Sequence, residues 1–384
     1  MGLDEFLNAL PEDEKAPLNY ASLPELSGLT APEAEEFGQL WLEWPDERVL
    51  ELVKRMVTLY EEEPDVEFES VHKQGLLHPS PPVRLSSLAV LEDSDDRTLI
   101  RPLCRMMTGD SSSEVRAAAA ETLVYLSSLA QAGKLAPRDE KSITDELFRV
   151  LENEEELNAV KLKALEAVSV FGGERLTPFL EAAWASDDLS ARQSSIYAMA
   201  RTSDPKWADK VVEDLEHDVV SVRYEATMAI GELGDEGHLR ALEGPLDDDD
   251  LTVQLAAISA VERIGGDIAK DMLELRLVSS EPRVVELVQQ ALETMKEEED
   301  LNEVVTPEMA RSMFGAGDIL PGIDTEGYEA AEIEGWANAQ PDPGLVDDFG
   351  TGITEEAEEL GLDRGDPFDI DLPPQDPWDR DEKF

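Results

Sequence analysis

The 384-residue chain has one cysteine, four histidines, and only 32 lysines and arginines against 88 aspartates and glutamates. A single thiol, Cys104, excludes an internal disulfide and a cysteine-built metal site. It lies in the apolar stretch Leu103 to Met107, where core packing is expected. The shortage of base leaves a formal net charge of −56. Phosphate backbones and anionic lipid surfaces repel such a protein, so neither nucleic acid nor membrane is an expected partner. No run approaches the roughly 18 apolar residues a membrane span needs. The start, MGLDEFLNALPEDEK, has neither the basic leader nor the apolar centre of a signal peptide, which favours the cytoplasm. A Walker loop, a dinucleotide fingerprint, a His/Glu zinc motif and a Ser/His/Asp arrangement are all missing. No catalytic residue, cofactor or metal is therefore assigned.

What the chain does have is a repeat. In SVRYEATMAIGELGD, residues 221–235, apolar or small residues fall at Val222, Ala226, Ala229, Ile230 and Leu233. That is the spacing of one buried helical stripe. Gly234 follows it, where a left-handed cap is expected. The Val-Arg pair or a degraded copy recurs at Val83-Arg84, Val115-Arg116, Val160-Lys161, Ala191-Arg192, Val222-Arg223, Val253-Gln254 and Val284-Val285. Between second residues the steps are 32, 45, 31, 31, 31 and 31. Four and seven places after the first residue of each pair stand mostly Ala, Ser or Thr; eight places after stands a larger apolar residue. Shorter apolar segments at Leu99–Met107, Leu176–Trp184, Trp207–Leu215 and Ile268–Val278 read as the first helix of each pair. Such a pair cannot bury its apolar face alone and must stack on its neighbours.

The motif of an acidic turn, Val-Arg, paired small residues and Leu-Gly-Asp stands here as DDLSARQSSIYAM, HDVVSVRYEATMAIGELGD and DDDLTVQLAAISAVERIGG. It resembles HEAT repeats, in particular the short bacterial PBS-lyase-HEAT-like kind, over roughly residues 46–298. The resemblance implies an all-α, right-handed α-solenoid of about seven to eight helix pairs, with Pro102 and Pro178 kinking first helices. It also implies that the Val-Arg helices line a concave face. It points to protein-protein interaction, with two enzymatic alternatives. Deoxyhypusine hydroxylase, a relative in repeat type, takes its iron from His-Glu pairs; His72, His78, His217 and His238 are each followed by another residue. Phycobilin lyases share the repeat, but no bilin-specific motif is visible.

Three domains are expected. Residues 1–29 read as a loosely ordered acidic segment in which Leu3, Phe6, Leu7 and Leu10 form one amphipathic turn. Residues 30–298 form the solenoid: 30–78 a divergent cap sealed by Trp41 and Trp44, and 79–298 the repeats. In the cap, Thr30 and Glu33 make a capping box, and Asp46 and Asp65 start further helices. Gly133 and Pro137 read the insertion at residues 127–141 as a loop. GPLDDDD, residues 244–250, lacks the frame of a calcium loop and reads as a helix cap. Residues 299–384 form an acidic tail; from 301 on it holds 23 acids against 4 bases, and is expected to be mostly disordered. Within it Thr306 to Phe314 reads as a short helix.

Two sets of residues follow. Positions not used by the stripe should face the groove: Tyr125, Glu166, Tyr197, Arg201, Tyr224, Met228 and Arg263. Tyr, Met and Arg are favoured in binding hot spots, and the mixture with acids suits a basic protein partner. The second set is structural. By resemblance to the family's Asp/Arg ladder, Arg84, Arg116, Arg192 and Arg223 should bond acidic turns of neighbouring repeats, Asp110, Asp187 and Asp218 among them. Nothing in the sequence fixes an oligomeric state.

Overall fold

A computed structural model of the chain describes residues 2–11, 18–63, 65–279 and 281–304. Among these every regular element is helical. In order they are α1 (Gly2–Asn8), α2 (Ala31–Leu40), α3 (Asp46–Glu62), α4 (Glu69–Gly75), α5 (Pro81–Val90), α6 (Ile100–Gly109) and α7 (Ser113–Gln131). Then come α8 (Pro137–Glu152), α9 (Asn158–Val168), α10 (Thr177–Trp184), α11 (Leu189–Arg201), α12 (Ala208–Val212) and α13 (Val220–Leu233). The last four are α14 (Glu243–Leu246), α15 (Leu251–Ile264), α16 (Gly266–Glu274) and α17 (Pro282–Val304). None of the described helices is long and apolar enough to cross a membrane.

The described residues divide into two compact units, one up to Ile264 and one from Gly265. In the first unit α2 packs on α4 and α3 on α5, the helices pair from α4/α5 to α14/α15, and the second helices α5, α7, α9, α11, α13 and α15 stand side by side in that order. This is the stacked α-solenoid that the repeat implies. The second unit contains one more pair, α16 packed on α17.

The reason is visible in the columns. Val83, Val115, Val160, Ala191, Val222, Val253 and Val284 are all buried. So are the small residues four places on, from Ser87 to Val288. Small residues there let adjacent second helices approach backbone to backbone. At Gly231 the approach is closest: a Cβ would meet the Ala260 Cα at 2.9 Å. Acidic turns start α11 and α15. Asp188 accepts from Ser190 N at 3.0 Å and Asp250 from Thr252 N at 2.9 Å.

Several details differ from the sequence reading. The first 29 residues are not loose where described: α1 is a full helix, and Phe6, Leu23, Leu26 and Leu29 are buried against Phe37, Trp41 and Met56. Phe6 meets Phe37 edge-on at 5.7 Å. A clip fixes the segment: Gly28 N donates to Glu67 O, and Glu67 N donates to Ser27 Oγ, both at 2.8 Å. The apolar end of the first helix pair needs a cover, and the N-terminal segment supplies it. Trp41 is fully buried there, as a seal requires.

The insertion at 127–141 is mostly helix. α7 continues to Gln131 and α8 begins at Pro137, so only residues 132–136 connect them. Proline at a first helical position starts a helix rather than breaking it, because its missing N–H is not needed there. Pro178 and Pro102 likewise sit in the first turns of α10 and α6. Gly234 is extended (φ −77°), not left-handed. Its glycine is needed for space, since a Cβ would lie 2.5 Å from Ile230 O. Asp46 opens the first turn of α3 behind Pro45, and α4 starts at Glu69, four residues after Asp65. At the other end α17 runs to Val304, past the expected boundary at 298. The tail beyond it, with the helix expected at 306–314, lies outside the described residues.

Candidate functional site

The Arg column comes first, because it sets how the repeats stand. Arg84 NH2 reaches Asp110 Oδ1 in the next repeat at 2.7 Å, as expected. Arg116 binds Glu156 with Nε and NH2 (2.9 and 2.8 Å), Arg192 binds Asp214, and Arg223 binds Asp248 with Nε and NH2 (2.7 and 2.8 Å). In three of these the fork's remaining nitrogen ties down the residue's own turn. NH1 donates to His78 O from Arg84, to Asp110 O from Arg116 and to His217 O from Arg223. Each guanidinium thus clamps two successive repeats, which its rigid donor geometry suits.

Two ladder assignments are corrected. Asp218 gives Arg223 only its backbone carbonyl, at 3.3 Å. Asp187 is not the partner of Arg192; that is Asp214, four residues before Asp218, with no exposed side-chain surface. An arginine on one second helix reaches forward to where the next first helix ends, and the acid must stand there. Arg192 also lies over the Trp184 ring at 4.7 Å, and Trp184 Nε1 donates to Asp214 Oδ2 at 2.7 Å. Gln254 keeps half the device, donating to Asp248 O at 2.5 Å.

The remaining polar chemistry of the second helices gathers on α7, α9, α11 and α13. Glu166 is not in open solvent but buried. Ser194 Oγ donates to its Oε1 at 2.5 Å, and Lys163 Nζ lies 3.4 Å from its Oε2 and 2.7 Å from Glu121 Oε1. Burial opposes the charge on Lys163, but the two carboxylates outweigh it and hold the ammonium above its usual range. Burial also dominates at Glu166 and raises its pKa, although Lys163 and Ser194 pull the other way. The ion pair is therefore held at a cost that falls on the carboxylate.

Beside it, Tyr197 is half-buried and carries Arg201 over its ring at 5.5 Å. Arg201 NH2 donates to Val124 O at 3.3 Å, and Gln131 Nε2 returns a hydrogen bond to Arg201 O at 3.2 Å. These bonds join α7 to α11 past the end of α9. The extra length of α7, the helical part of the insertion, makes that reach possible. Tyr125 and Tyr224 are exposed at 38% and 39%, Met228 is half-buried, and Arg263 pairs with Glu232.

Of the seven residues expected on the face, Glu166, Tyr197 and Arg201 come together with Lys163, Ser194 and Glu225. Tyr224 is the neighbour of Glu225 in sequence. Tyr125 stands on α7 next to Val124, whose carbonyl accepts from Arg201, and Met228 and Arg263 lie further along. The sequence reading missed Lys163, Ser194 and Glu225. All three stand three places after the Val column, one turn before the column that holds Glu166, Tyr197 and Met228. On a helix those two columns are neighbours, and that spacing was the available signal. Glu225 is half-buried, and among the described residues no donor or cation is bonded to it. Burial, and behind it the Glu166 carboxylate, push its pKa up to about 8, so it is largely protonated at neutral pH.

Comparison with known proteins gives two matches to repeat families. The profile described as HEAT repeats matches residues 208–293, and that of a single HEAT repeat matches residues 99–130. Among curated proteins none matches the sequence. The chain is similar in structure to E. coli YibA at 17% identity, over 74% of this chain and 99% of that one, with a TM-score of 0.43. It is similar to human deoxyhypusine hydroxylase in complex with glycerol at 16% identity, over 70% and 97%, TM-score 0.31. A designed armadillo repeat protein in complex with the peptide (KR)4 is 20% identical over 58% and 98%, TM-score 0.32.

Proposed function

We propose, for what is by its repeats a HEAT-repeat protein, the role of a non-catalytic scaffold that holds a protein partner against its second-helix face. The observation that carries this reading is the pair of exposed tyrosines, Tyr125 and Tyr224, on the second helices α7 and α13. An exposed tyrosine offers large, stiff contact area at small entropic cost, and hot spots favour it. The fold supports the reading in a second way. Stacked pairs turn one helix of every repeat to the same side, which builds an extended surface without any loop having to be ordered. With acids around it, the surface suits a partner that presents basic residues.

Site-directed photocrosslinking tests this. Benzoylphenylalanine is placed at Tyr125 or Tyr224 of the full chain in the cells that make it, and at exposed Glu213 on the first-helix side as reference. Adducts to a second protein are expected from positions 125 and 224 and not from 213. Adducts from 213 alone, or from none of the three, overturn the reading.

A further inference from the structure

Resting on that reading, we propose that the inner face around Glu225 is a subsite for one cationic side chain, lysine or arginine, of an extended partner segment. Glu225 would serve as its counter-ion and Tyr224 as its wall.

The argument is one of inventory. Every described cation on this face is already engaged. Lys163 is held by Glu121 and Glu166, Arg263 by Glu232, and Arg201 by the Val124 carbonyl and the Tyr197 ring. The buried Glu166 has its serine and its lysine. Glu225 alone among these carboxyls has no bonded partner, although it is half-buried on α13 and within electrostatic range of Glu166. A carboxyl left so costs the fold stability unless it stays protonated. Its neighbour in sequence, Tyr224, is exposed and within electrostatic range of Glu225, and a phenol ring can share a cation with a carboxylate at that range. The titratable groups within electrostatic range of Glu225 are Glu166 of α9, Tyr197 of α11 and Tyr224 of α13 itself, and the cations beside them, Lys163 and Arg201, are already bonded. None of them supplies the missing charge. An arriving ammonium or guanidinium does, and Glu225 then releases its proton to solvent. The chain's own acidic tail, with 23 acids against 4 bases from residue 301 on, is a poor occupant by the same sign of charge.

The test uses the full chain at physiological salt and an eight-residue peptide alternating serine and lysine. The same peptide with every lysine acetylated keeps its length but loses its charge. Calorimetry in two buffers of different ionisation enthalpy counts protons released. Binding of the lysine peptide with release of a proton is expected near pH 7. Acetylation should abolish it, and Glu225→Gln should weaken it roughly tenfold or more and remove the proton release. Tyr224→Ala should weaken it as well. Because Glu225 is largely protonated already, the amide should leave folding intact, which thermal melting checks. Glu213→Gln removes an equal charge from an exposed site and should change affinity less than about twofold.

Equal effects of Glu225→Gln and Glu213→Gln would show long-range attraction alone and overturn the subsite. So would equal binding of the acetylated peptide, no binding of the lysine peptide at all, or self-association of the chain that Tyr224→Ala abolishes. The crosslinking result is independent of all of these, so the wider scaffold reading can stand or fall separately.

Discussion

Two buried titratable groups make opposite demands on pH. His72 is fully buried, and neither ring nitrogen has a hydrogen-bond partner. Burial lowers its pKa to about 4. Above about 6.5 the ring is neutral whether the chain is folded or not. Below that the unfolded chain takes up a proton that the buried ring refuses, so stability falls as pH drops from about 6.5 towards 4. The loss approaches roughly 3 kcal/mol. His72→Leu should flatten this limb in denaturant titrations at stepped pH, with little cost at pH 7, because it replaces two unpaired polar atoms. Glu225 has the other sign. Its raised pKa leaves its contribution intact below about 4.5 and removes it as pH rises through about 8. Glu225→Gln should remove the fall in stability between about pH 4.5 and about pH 8 and leave the profile above it unchanged. If the wild type and both variants share one pH profile, neither group is in the environment described.

At the level of elements, the clamps between repeats are separable from the packing between them. Arg116 makes three charge-assisted bonds from a largely buried position. Arg116→Ala leaves Glu156 and a turn carbonyl without their donor, and should destabilise the chain by roughly 2–4 kcal/mol. Arg138→Ala, on an exposed side chain, should cost less than about 0.5 kcal/mol. Packing is tested at Gly231. A methyl there meets the Ala260 backbone, which cannot rotate aside as a side chain would. Gly231→Ala should cost roughly 1–3 kcal/mol, and a larger residue more. Denaturation midpoints measured side by side rank the four proteins. A harmless Gly231→Ala would mean that α13 and α15 stand further apart than described.

For the whole molecule, charge and repetition dominate. A net charge of −56 repels itself more strongly when the chain is compact. Raising sodium chloride from about 0.02 to about 0.5 M shortens the screening length from roughly 20 Å to a few ångströms and should raise the melting temperature. A melting temperature that falls with salt would mean that the ion-pair clamps outweigh the repulsion. Repeats that touch only their neighbours also need not unfold together. Probes at the N-terminal cap and at α13 should separate in hydrogen exchange if one end opens first.

The sequence by itself determined the repeat and what it buries. The seven-residue Val column, the small residues four places on and the helix-starting acids were all legible, because each is a local pattern with one physical solution. It also marked Arg84, Arg116, Arg192 and Arg223 as a ladder, by their resemblance to the Asp/Arg ladder of HEAT repeats. Which acid answers was decided only in three dimensions. Asp214 and Asp248 answer in place of the expected Asp187 and Asp218, because each arginine reaches forward to the end of the next first helix. The same holds for the N-terminal segment, whose few leucines look too sparse to order themselves and are ordered by a surface contributed from elsewhere. It holds most for Glu225. A glutamate in an acid-rich chain carries no signal of its own. Only the folding of Glu166 into its range, with the cations of that face already taken, makes it a carboxyl without a counter-ion.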